Sequence, residues 1–402
     1  MQHTQRSFPK LSIRERDRRY ALIRKGLQDL QVDCAILTGT NLFYVTNGLP
    51  GERYGLLPTE DKPPTVVINF RNLADITVQV FLDMQEWIQD IRGGLDASHL
   101  IETIKELHLE TGTLGIAGLG YGGINQGFYA QAQKAFPSAK LVDVSDVLNN
   151  VRTIKSDEEI SMIDAANRIF DAAVKRVCEI ARPGMLGRRV LEEGIRAMWE
   201  AGGDLHSSFN FHFGAVPKQN PVLMQLCLDQ VIKKGDIGTL TAHAEYKHYA
   251  GHSDHQISFG EPNALHRDLF SAVLRVRDAV LRTVRQGVTH LDLVETYQKA
   301  CRETDFRPSP HSQTHQYGID VPEFPGPAFK VADTSKDQLS GRLGLGFRGG
   351  NFELRAGMIY SISPTLLAKE GEDTMLAGTT LVVTESGYRE LGDRKLELSL
   401  CA

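Results

Sequence analysis

Short apolar runs alternate with helical patterns through the first 150 residues, and this alternation restricts the fold most. A buried strand reads as about four to eight apolar residues bounded by turn residues. Three such runs are CAILTG, PPTVVINF and LGIAG, at residues 34–39, 63–70 and 114–118. Apolar residues at helical spacing flank them at residues 11–32, 97–109 and 126–136. The pattern predicts an α/β domain with a largely covered sheet over residues 1–154.

A capping box marks the start of a second domain. Ser156 and Glu159 have the S-x-x-E spacing that caps a helix, and Pro183-Gly184 should end the long helix behind it. Single cores stop growing beyond about 250–300 residues, so a chain of 402 residues favours two domains. We predict that they comprise residues 1–154 and 155–402.

Residues 155–402 contain a faint internal repeat. EIARPGMLGRRVLEEG resembles RTVRQGVTHLDLVETY, and each ends one helix and begins another. KKGDIGTL is echoed by LRAGMIYSI, since each is a glycine followed by an extended apolar strand. Repetition on this scale predicts a pseudo-twofold domain built from two halves, each a helix pair plus strands. A ligand pocket is expected on the concave face where the halves meet.

Composition argues against several classes of function. The net charge is −5, and the basic stretch RERDRR near the N-terminus contains acids and reads as a solvated helix face, so no nucleic-acid partner is predicted. The five cysteines form no CxxC pair, which argues against a disulfide framework or a structural zinc site. Without an apolar run of about eighteen residues or a signal-peptide core, we expect a cytoplasmic protein that makes no membrane contact.

Six segments, in order, resemble the creatinase/prolidase/aminopeptidase P family. They are DCAILTGTNLFYVTNG, RPGM, GDI followed by SDHQISFG, HSQTHQYGIDVPEFP, AGMIYSISP and LVVTESGYREL. Together they span nearly the whole chain. The resemblance implies a creatinase-type N-terminal α/β domain followed by a pita-bread catalytic domain, largely hydrolytic chemistry on a small-molecule substrate, and a homodimer.

The resemblance also bears on metal binding. Peptidases of the family hold two divalent metals with two Asp, one His and two Glu, and Asp254 and His315 stand at two of these positions. The other three positions hold Thr241, Ser363, and Gly378 or its neighbour Thr379. A hydroxyl or a glycine cannot replace a bridging carboxylate. We therefore expect that the two-metal centre is lost and that no cofactor is bound.

Histidines remain in the segments expected to line the cleft. They are His243, His252, His255, His311 and His315. An imidazole beside a carboxylate is the usual composition of a general acid/base pair. We predict that the catalytic residues are His315, Asp254 and His311.

Further residues are expected to bind the substrate. In the creatinase branch, an arginine near the position of Arg53 reaches across the dimer toward the substrate, and a substrate carboxylate would explain such a residue. The predicted substrate-binding residues are His243, His252, His255, Glu323, Arg53, Tyr54 and Ser363.

Three functions stay open. The first is a hydrolase of a C–N bond in a small, carboxylate-bearing substrate that works without the two-metal centre. The second is a hydrolase or lyase with one divalent transition metal bound by His243, Asp254 and His315. It is motivated by the eleven-residue spacing from His243 to Asp254, which equals the family's Asp-to-Asp spacing. The third is a non-catalytic binding protein on a peptidase fold.

Overall fold

The computed structural model describes residues 9–49, 52–68, 85–94, 97–118, 126–205, 207–214, 228–308, 313–319, 351–368 and 373–401. The chain divides into two compact units. One is Lys10–Arg152, and the other is Thr153–Ala402 together with Met1–Pro9. No helix among the described residues combines the length and the apolar character that crossing a membrane requires.

The first unit is a six-stranded mixed sheet with helices. Its described helices are α1 (Ile13–Asp29), α2 (Gly39–Thr46), α3 (Ala97–Glu106), α4 (Gln126–Ala135) and α5 (Ser145–Thr153). Its strands are β1 (Cys34–Leu37), β2 (Glu52–Pro58), β3 (Thr65–Ile68), β4 (Asp90–Gly93), β5 (Thr113–Ile116) and β6 (Lys140–Asp143). The strand order is β4-β3-β2-β1-β5-β6.

The apolar runs of this unit form its core. All four residues of β1 are buried, and β1 pairs antiparallel with β2 and parallel with β5. Ile36 and Leu114 from these strands pack with Leu100 of α3 and Phe128 of α4 in one apolar cluster. The predicted α/β domain is confirmed, because the runs are inner strands and the periodic segments are the helices that cover them.

The second unit begins with two helices and an antiparallel sheet. The elements of its first half are α6 (Asp157–Ile180), α7 (Gly187–Glu200), β7 (Ser208–Phe213), β8 (Ile237–Tyr246) and β9 (Tyr249–Phe259). Its second half repeats the plan with α8 (Ala264–Leu281), α9 (His290–Arg302), β10 (Arg307–Pro308), β11 (Gln313–Gln316), β12 (Ile359–Ser363), β13 (Thr365–Leu367), β14 (Thr374–Leu376), β15 (Thr379–Val383), β16 (Tyr388–Glu390) and β17 (Leu398–Cys401). The strand orders are β17-β9-β8-β7, β11-β12-β15-β16 and β10-β13-β14.

The repeat confirms the predicted pita-bread architecture, since each half is a helix pair followed by strands. The capping box is present: the Ser156 hydroxyl accepts a hydrogen bond from the Glu159 amide at 3.2 Å, and the Glu159 carboxylate accepts one from the Ser156 amide at 2.9 Å. The helix that it starts ends at Ile180, just before Pro183-Gly184. Local chemistry therefore sets both ends of α6.

The β8–β9 hairpin carries the central side chains of the second unit. Thr241 pairs directly with Asp254, and His243 pairs with His252. Directly paired residues of antiparallel strands lie on the same face of the sheet. All four side chains therefore share one face of the hairpin.

Candidate functional site

Asp254 lies at the centre of this face and is only 2% exposed. Its Oδ1 accepts a hydrogen bond of 2.7 Å from the Thr241 hydroxyl and lies 3.4 Å from Nε2 of His252. Its Oδ2 is buried and has no hydrogen-bond partner among the described residues. One oxygen is thus held in place, while the other is left with unused capacity to accept a proton or a ligand.

The pKa of Asp254 lies below its ordinary value. Burial raises this pKa, but the charge and hydrogen bond of His252, together with the nearby hydroxyls of Thr241 and Ser363, outweigh the effect of burial. The carboxyl group is therefore ionised at neutral pH. A buried carboxylate beside an imidazole is able to orient the ring.

His252 is held from three sides. Its Nδ1 lies 3.1 Å from the Ser361 hydroxyl of β12. Its backbone amide donates to the Thr380 hydroxyl at 2.9 Å, and that hydroxyl donates to the His252 carbonyl at 2.5 Å. The imidazole therefore bridges a carboxylate and a hydroxyl in a fixed orientation.

His243 and Tyr317 complete an aromatic group around His252. The ring centroid of His252 lies 4.8 Å from that of His243 and 5.4 Å from that of Tyr317. Burial lowers the pKa of His243 to about 3, and the nearby His252 adds to the effect. Burial and the charge of Asp254 raise the pKa of Tyr317 well above its usual range. At neutral pH the His243 ring is therefore uncharged, and the Tyr317 phenol keeps its proton.

Gly378 closes the site on the Oδ2 side of Asp254. A Cβ atom built on Gly378 would lie 1.9 Å from Asp254 Oδ2 and 2.5 Å from the Ser363 hydroxyl. Real Cβ contacts are essentially never under 3.0 Å. No side chain fits at this position while Asp254 keeps its place.

Three residues of the site were absent from the sequence prediction, although the strand period could have found one of them. Tyr317 follows His315 by two positions, Ser361 precedes Ser363 by two, and Thr380 follows Gly378 by two. Alternate residues of a strand share a face, so Ser361, two positions before Ser363 in β12, was a candidate.

Arg394 is a further residue that the sequence analysis missed, and no local pattern indicated it. Its guanidinium donates to the Asp254 carbonyl at 3.0 Å and to the Asp171 carboxylate, also at 3.0 Å. It also lies over the Phe170 ring, 4.8 Å from the centroid. This buried cation ties β9 to α6 behind the site.

His255 was predicted to line the pocket with Asp254, and the structure places it elsewhere. Successive residues of a strand point to opposite faces, so His255 of β9 faces away from Asp254. Its Nε2 lies 2.8 Å from the Ser399 hydroxyl of β17. Because side chains alternate between the two faces of a strand, His252 and Asp254 share one face and His255 lies on the other. The sequence prediction placed all three in one pocket.

The other predicted residues are placed as far as the structure describes them. In the backbone register, His315 lies opposite Ser361; of its side chain nothing is described. His311 and Glu323 lie outside the described residues. In the first unit, Arg53 is exposed, and Tyr54 stacks on Phe128 with a centroid distance of 6.0 Å.

Asp204, Glu245 and His248 form another group near the β8–β9 turn. One ligand atom from each lies within 4.8 Å of the others, and within the part of the chain that the structure describes, this is the one group of three that meets the spacing for a metal. The group is partly exposed, and the His248 amide donates a hydrogen bond of 2.6 Å to the Asp204 carboxylate. Exposed acidic groups of this kind are common without an ion.

Comparison with known proteins agrees with this fold. The profile of metallopeptidase family M24 matches residues 161–385, and that of the creatinase/prolidase N-terminal domain matches residues 19–154. The chain is 25% identical over 382 residues to the uncharacterized peptidase YqhT of Bacillus subtilis, covering 94% of this chain and 98% of that one. It is 22% identical over 369 residues to an Xaa-Pro dipeptidase of Pyrococcus horikoshii, covering 90% and 93%.

Solved structures show the same likeness. An Xaa-Pro dipeptidase from Bacillus anthracis superposes with a TM-score of 0.76 at 21% identity, over 96% of this chain and 99% of that chain. The prolidase of Pyrococcus horikoshii superposes with a TM-score of 0.74 at 20% identity, over 95% and 99%. At these identities, the likeness shows the fold alone.

These matches correct one expectation of the sequence analysis. We expected no cofactor, and that expectation is wrong, because the matched family is one of metallopeptidases and the described residues include a group of Asp, Glu and His with ligand atoms close together. The matched profiles cover most of both units. The chain belongs to metallopeptidase family M24, a family of hydrolases, and carries a creatinase/prolidase-type N-terminal domain.

Proposed function

We propose that the protein hydrolyses a C–N bond of a small substrate that carries a carboxylate, at the site around Asp254. The observation that carries the proposal is the buried pair of His252 and Asp254, with 3.4 Å between Nε2 and Oδ1. Relatives named as Xaa-Pro dipeptidases make Xaa-Pro dipeptides the first substrates to test. Such dipeptides are small, and each ends in a carboxylate.

In this proposal the described side chains divide the work. His252 moves the proton, because its Nε2 lies 3.4 Å from the Asp254 carboxylate while Ser361 fixes the other ring nitrogen. Tyr317 keeps its proton and serves as a hydrogen-bond donor on the same face. His315 stays a predicted second catalytic group, and Arg53 a predicted partner for the substrate carboxylate.

The described donors do not fit the family's metal pair. Thr241, Ser363 and Gly378 offer no carboxylate, and the Cβ clash at Gly378 leaves no room to add one beside Asp254. Two clustered divalent ions need several anionic ligands. No step of the proposed reaction therefore uses a pair of metals.

A single divalent metal ion is the cofactor that these residues suit better. Asp254 Oδ2 is buried with no hydrogen-bond partner among the described residues, and His243 is uncharged at neutral pH, as a nitrogen ligand must be. Asp254 and His243 would hold the ion together with His315. When bound, such an ion supplies Lewis acidity toward a carbonyl oxygen or a water.

Kinetics on purified full-length protein test the hydrolase. We expect His252→Gln and Asp254→Asn to lower kcat/KM by at least about 100-fold, because the acid–base pair is removed. His108→Asn, an exposed histidine of the first unit outside both candidate sites, is the matched control and should leave kcat/KM unchanged. Full activity in both site variants would refute the assignment. Absence of hydrolysis by the wild-type protein, across Xaa-Pro dipeptides and other small amides, would favour a binding function.

Elemental analysis tests the cofactor separately. We expect close to one equivalent of a transition metal per chain, and loss of most of it in Asp254→Asn but not in Glu245→Gln. Retention in the first variant and loss in the second would place the ion at the surface group of Asp204, Glu245 and His248 instead.

A further inference from the structure

Two cysteines meet on the face of β9 that lies opposite Asp254. Cys178 is in the last turn of α6 and Cys401 is in β17, 223 residues further along the chain. The Cys401 thiol donates to the Cys178 carbonyl oxygen, with 4.0 Å between the sulfur and the oxygen, so the two cysteines lie side by side. This contact joins the end of a helix to the strand that pairs with β9.

Polar groups surround the pair. His255 and Ser399 contact each other at 2.8 Å between Nε2 and the hydroxyl, and both act on the Cys178 thiol by lowering its pKa. His255 is 2% exposed, and its Nδ1 has no hydrogen-bond partner among the described residues. Buried polar groups normally have hydrogen-bond partners, and a buried imidazole next to a thiol changes the reactivity of that thiol. The surroundings of the two cysteines are therefore specific.

The two sulfurs differ in access to solvent. Cys401 is 1% exposed, whereas Cys178 is only partly buried. The neighbouring Cys401 thiol, helped by His255, lowers the pKa of the Cys178 thiol to about 5 against the opposing effect of burial. By contrast, burial raises the pKa of Cys34 to about 12 and that of Cys301 to about 11. Cys178 is therefore the thiol that reacts first with an external disulfide, and the buried Cys401 is the resolving thiol.

A metal does not explain the cluster equally well. Among the described residues, the cysteines and His255 do not form a group of three ligand atoms within 4.8 Å of one another, whereas Asp204, Glu245 and His248 do. Adjacent thiols of unequal reactivity are the arrangement that thiol–disulfide exchange requires.

We propose that Cys178 and Cys401 form a redox pair that small-molecule disulfides oxidise reversibly to an intramolecular disulfide. The Cys178 thiolate attacks one sulfur of the disulfide RSSR, forming a mixed disulfide and releasing RS⁻, which takes up the proton that Cys178 gave up. The Cys401 thiol then loses its proton and displaces the second RS⁻ from Cys178, and that proton leaves with it. Overall, one RSSR is reduced to two RSH, and the protein dithiol is oxidised to one disulfide.

The bond would connect α6 with β17 across a closed loop of more than 200 residues. A crosslink restricts the unfolded chain more strongly as the loop grows. We therefore expect oxidation to raise Tm by several degrees. Because the pair lies behind the strand that carries Asp254, the same oxidation also stiffens the support of the site.

The test uses reduced full-length protein incubated with oxidised and reduced glutathione at a series of ratios. Free thiols are then alkylated, and peptides are identified by mass spectrometry. We expect a Cys178–Cys401 crosslinked peptide that dithiothreitol removes. We also expect a midpoint within the glutathione series and a higher Tm for the oxidised form.

Variants separate the two roles. Cys401→Ser should trap a stable mixed disulfide of glutathione on Cys178, because the resolving thiol is gone. Cys178→Ser should show neither the crosslink nor glutathione on Cys401. Cys301→Ser, which removes a buried thiol elsewhere, should be oxidised like the wild-type protein. A folded wild-type protein that forms no crosslink at any ratio, or that accumulates a mixed disulfide without resolving it, would overturn the proposal.

Discussion

At the scale of single residues, the two carboxylate oxygens of Asp254 differ: Oδ1 has polar partners, and Oδ2 is buried without one among the described residues. Thr241 and His252 engage Oδ1, while Oδ2 packs against Gly378 without a hydrogen-bond partner among the described residues. Arg394 holds the same segment through the Asp254 backbone carbonyl. The state of this carboxylate therefore depends on close packing as much as on charge.

Gly378 gives the sharpest prediction at this scale. Gly378→Ala should lower the free energy of unfolding by about 3 kcal/mol or more, because the new Cβ would lie 1.9 Å from Asp254 Oδ2. Gly387→Ala is the control, since the nearest atom there is 4.0 Å away and the backbone is not in the left-handed region. Urea unfolding measures both. Equal stability of the two variants would show that position 378 has room, and the argument against a carboxylate there would fail.

Glu52 gives a pH-dependent prediction in the first unit. Burial raises its pKa, although the Thr46 hydroxyl, at 2.5 Å, and the Leu49 amide, at 3.0 Å, donate hydrogen bonds to it. The folded state therefore holds this proton more tightly than the unfolded state does. Its contribution to stability is full below the unfolded pKa and is lost as the pH rises through the folded pKa.

Replacement of Glu52 by Gln keeps the acceptor and removes the titration. The Tm of Glu52→Gln, relative to the wild-type protein, should therefore rise between pH 4 and pH 7. Thermal unfolding by circular dichroism at several pH values checks this, with Glu102→Gln as an exposed control. A relative Tm that falls with pH would contradict the sign.

At the scale of elements, α6 connects the end of the first unit's sequence to the strands of the second. Its capping box fixes where it begins, and the Tyr249 hydroxyl of β9 donates to the Glu159 carboxylate at 3.0 Å. The same glutamate thus caps the helix and anchors the sheet. Loss of the cap should therefore weaken the contact between α6 and β9 as well as the first turn of the helix.

Ser156→Ala should lower the free energy of unfolding by about 1 kcal/mol, because the Glu159 amide loses its acceptor. Ser161→Ala, on the exposed side of the same helix, should change it by less than about 0.5 kcal/mol. Chemical denaturation of both variants measures the difference. An equal loss in the two would mean that the cap contributes nothing particular.

At the scale of the whole molecule, each unit has its own hydrophobic core. Leu100 and Ile104 lie in the core of the first unit, and Leu269 and Tyr360 lie in that of the second. Units with separate cores are the usual basis for separate unfolding steps. This feature makes the stability of the two units separately measurable.

Core substitutions should therefore affect calorimetric transitions selectively. We expect two transitions in a calorimetric scan, one lowered by Leu100→Ala and the other by Leu269→Ala. Each substitution removes a buried side chain at a cost of about 2–5 kcal/mol. A single transition that both variants shift equally would show that the units unfold together.

Much of the fold could be predicted from sequence because local physics determines it. The apolar run at β1, the capping box at Ser156 and the Pro183-Gly184 stop each act within a few residues, and the structure has all three where the pattern indicated. The family resemblance rested on six such segments, and the matched profiles confirm it. The motifs also named Asp254 and Ser363, which lie together beside Gly378, whereas His255, named by the same motif as Asp254, faces away.

What only the tertiary structure decided is which distant groups meet, since sequence spacing carries no distance between strands. Chain order by itself indicated the α/β unit and the repeated second unit. Strand pairing then set Thr241 opposite Asp254, pointed His255 to the other face and filled the space at Gly378. It also brought Cys178 to Cys401 across 223 residues. Contacts of this kind depend on how the whole chain packs, so no local sequence pattern predicted them.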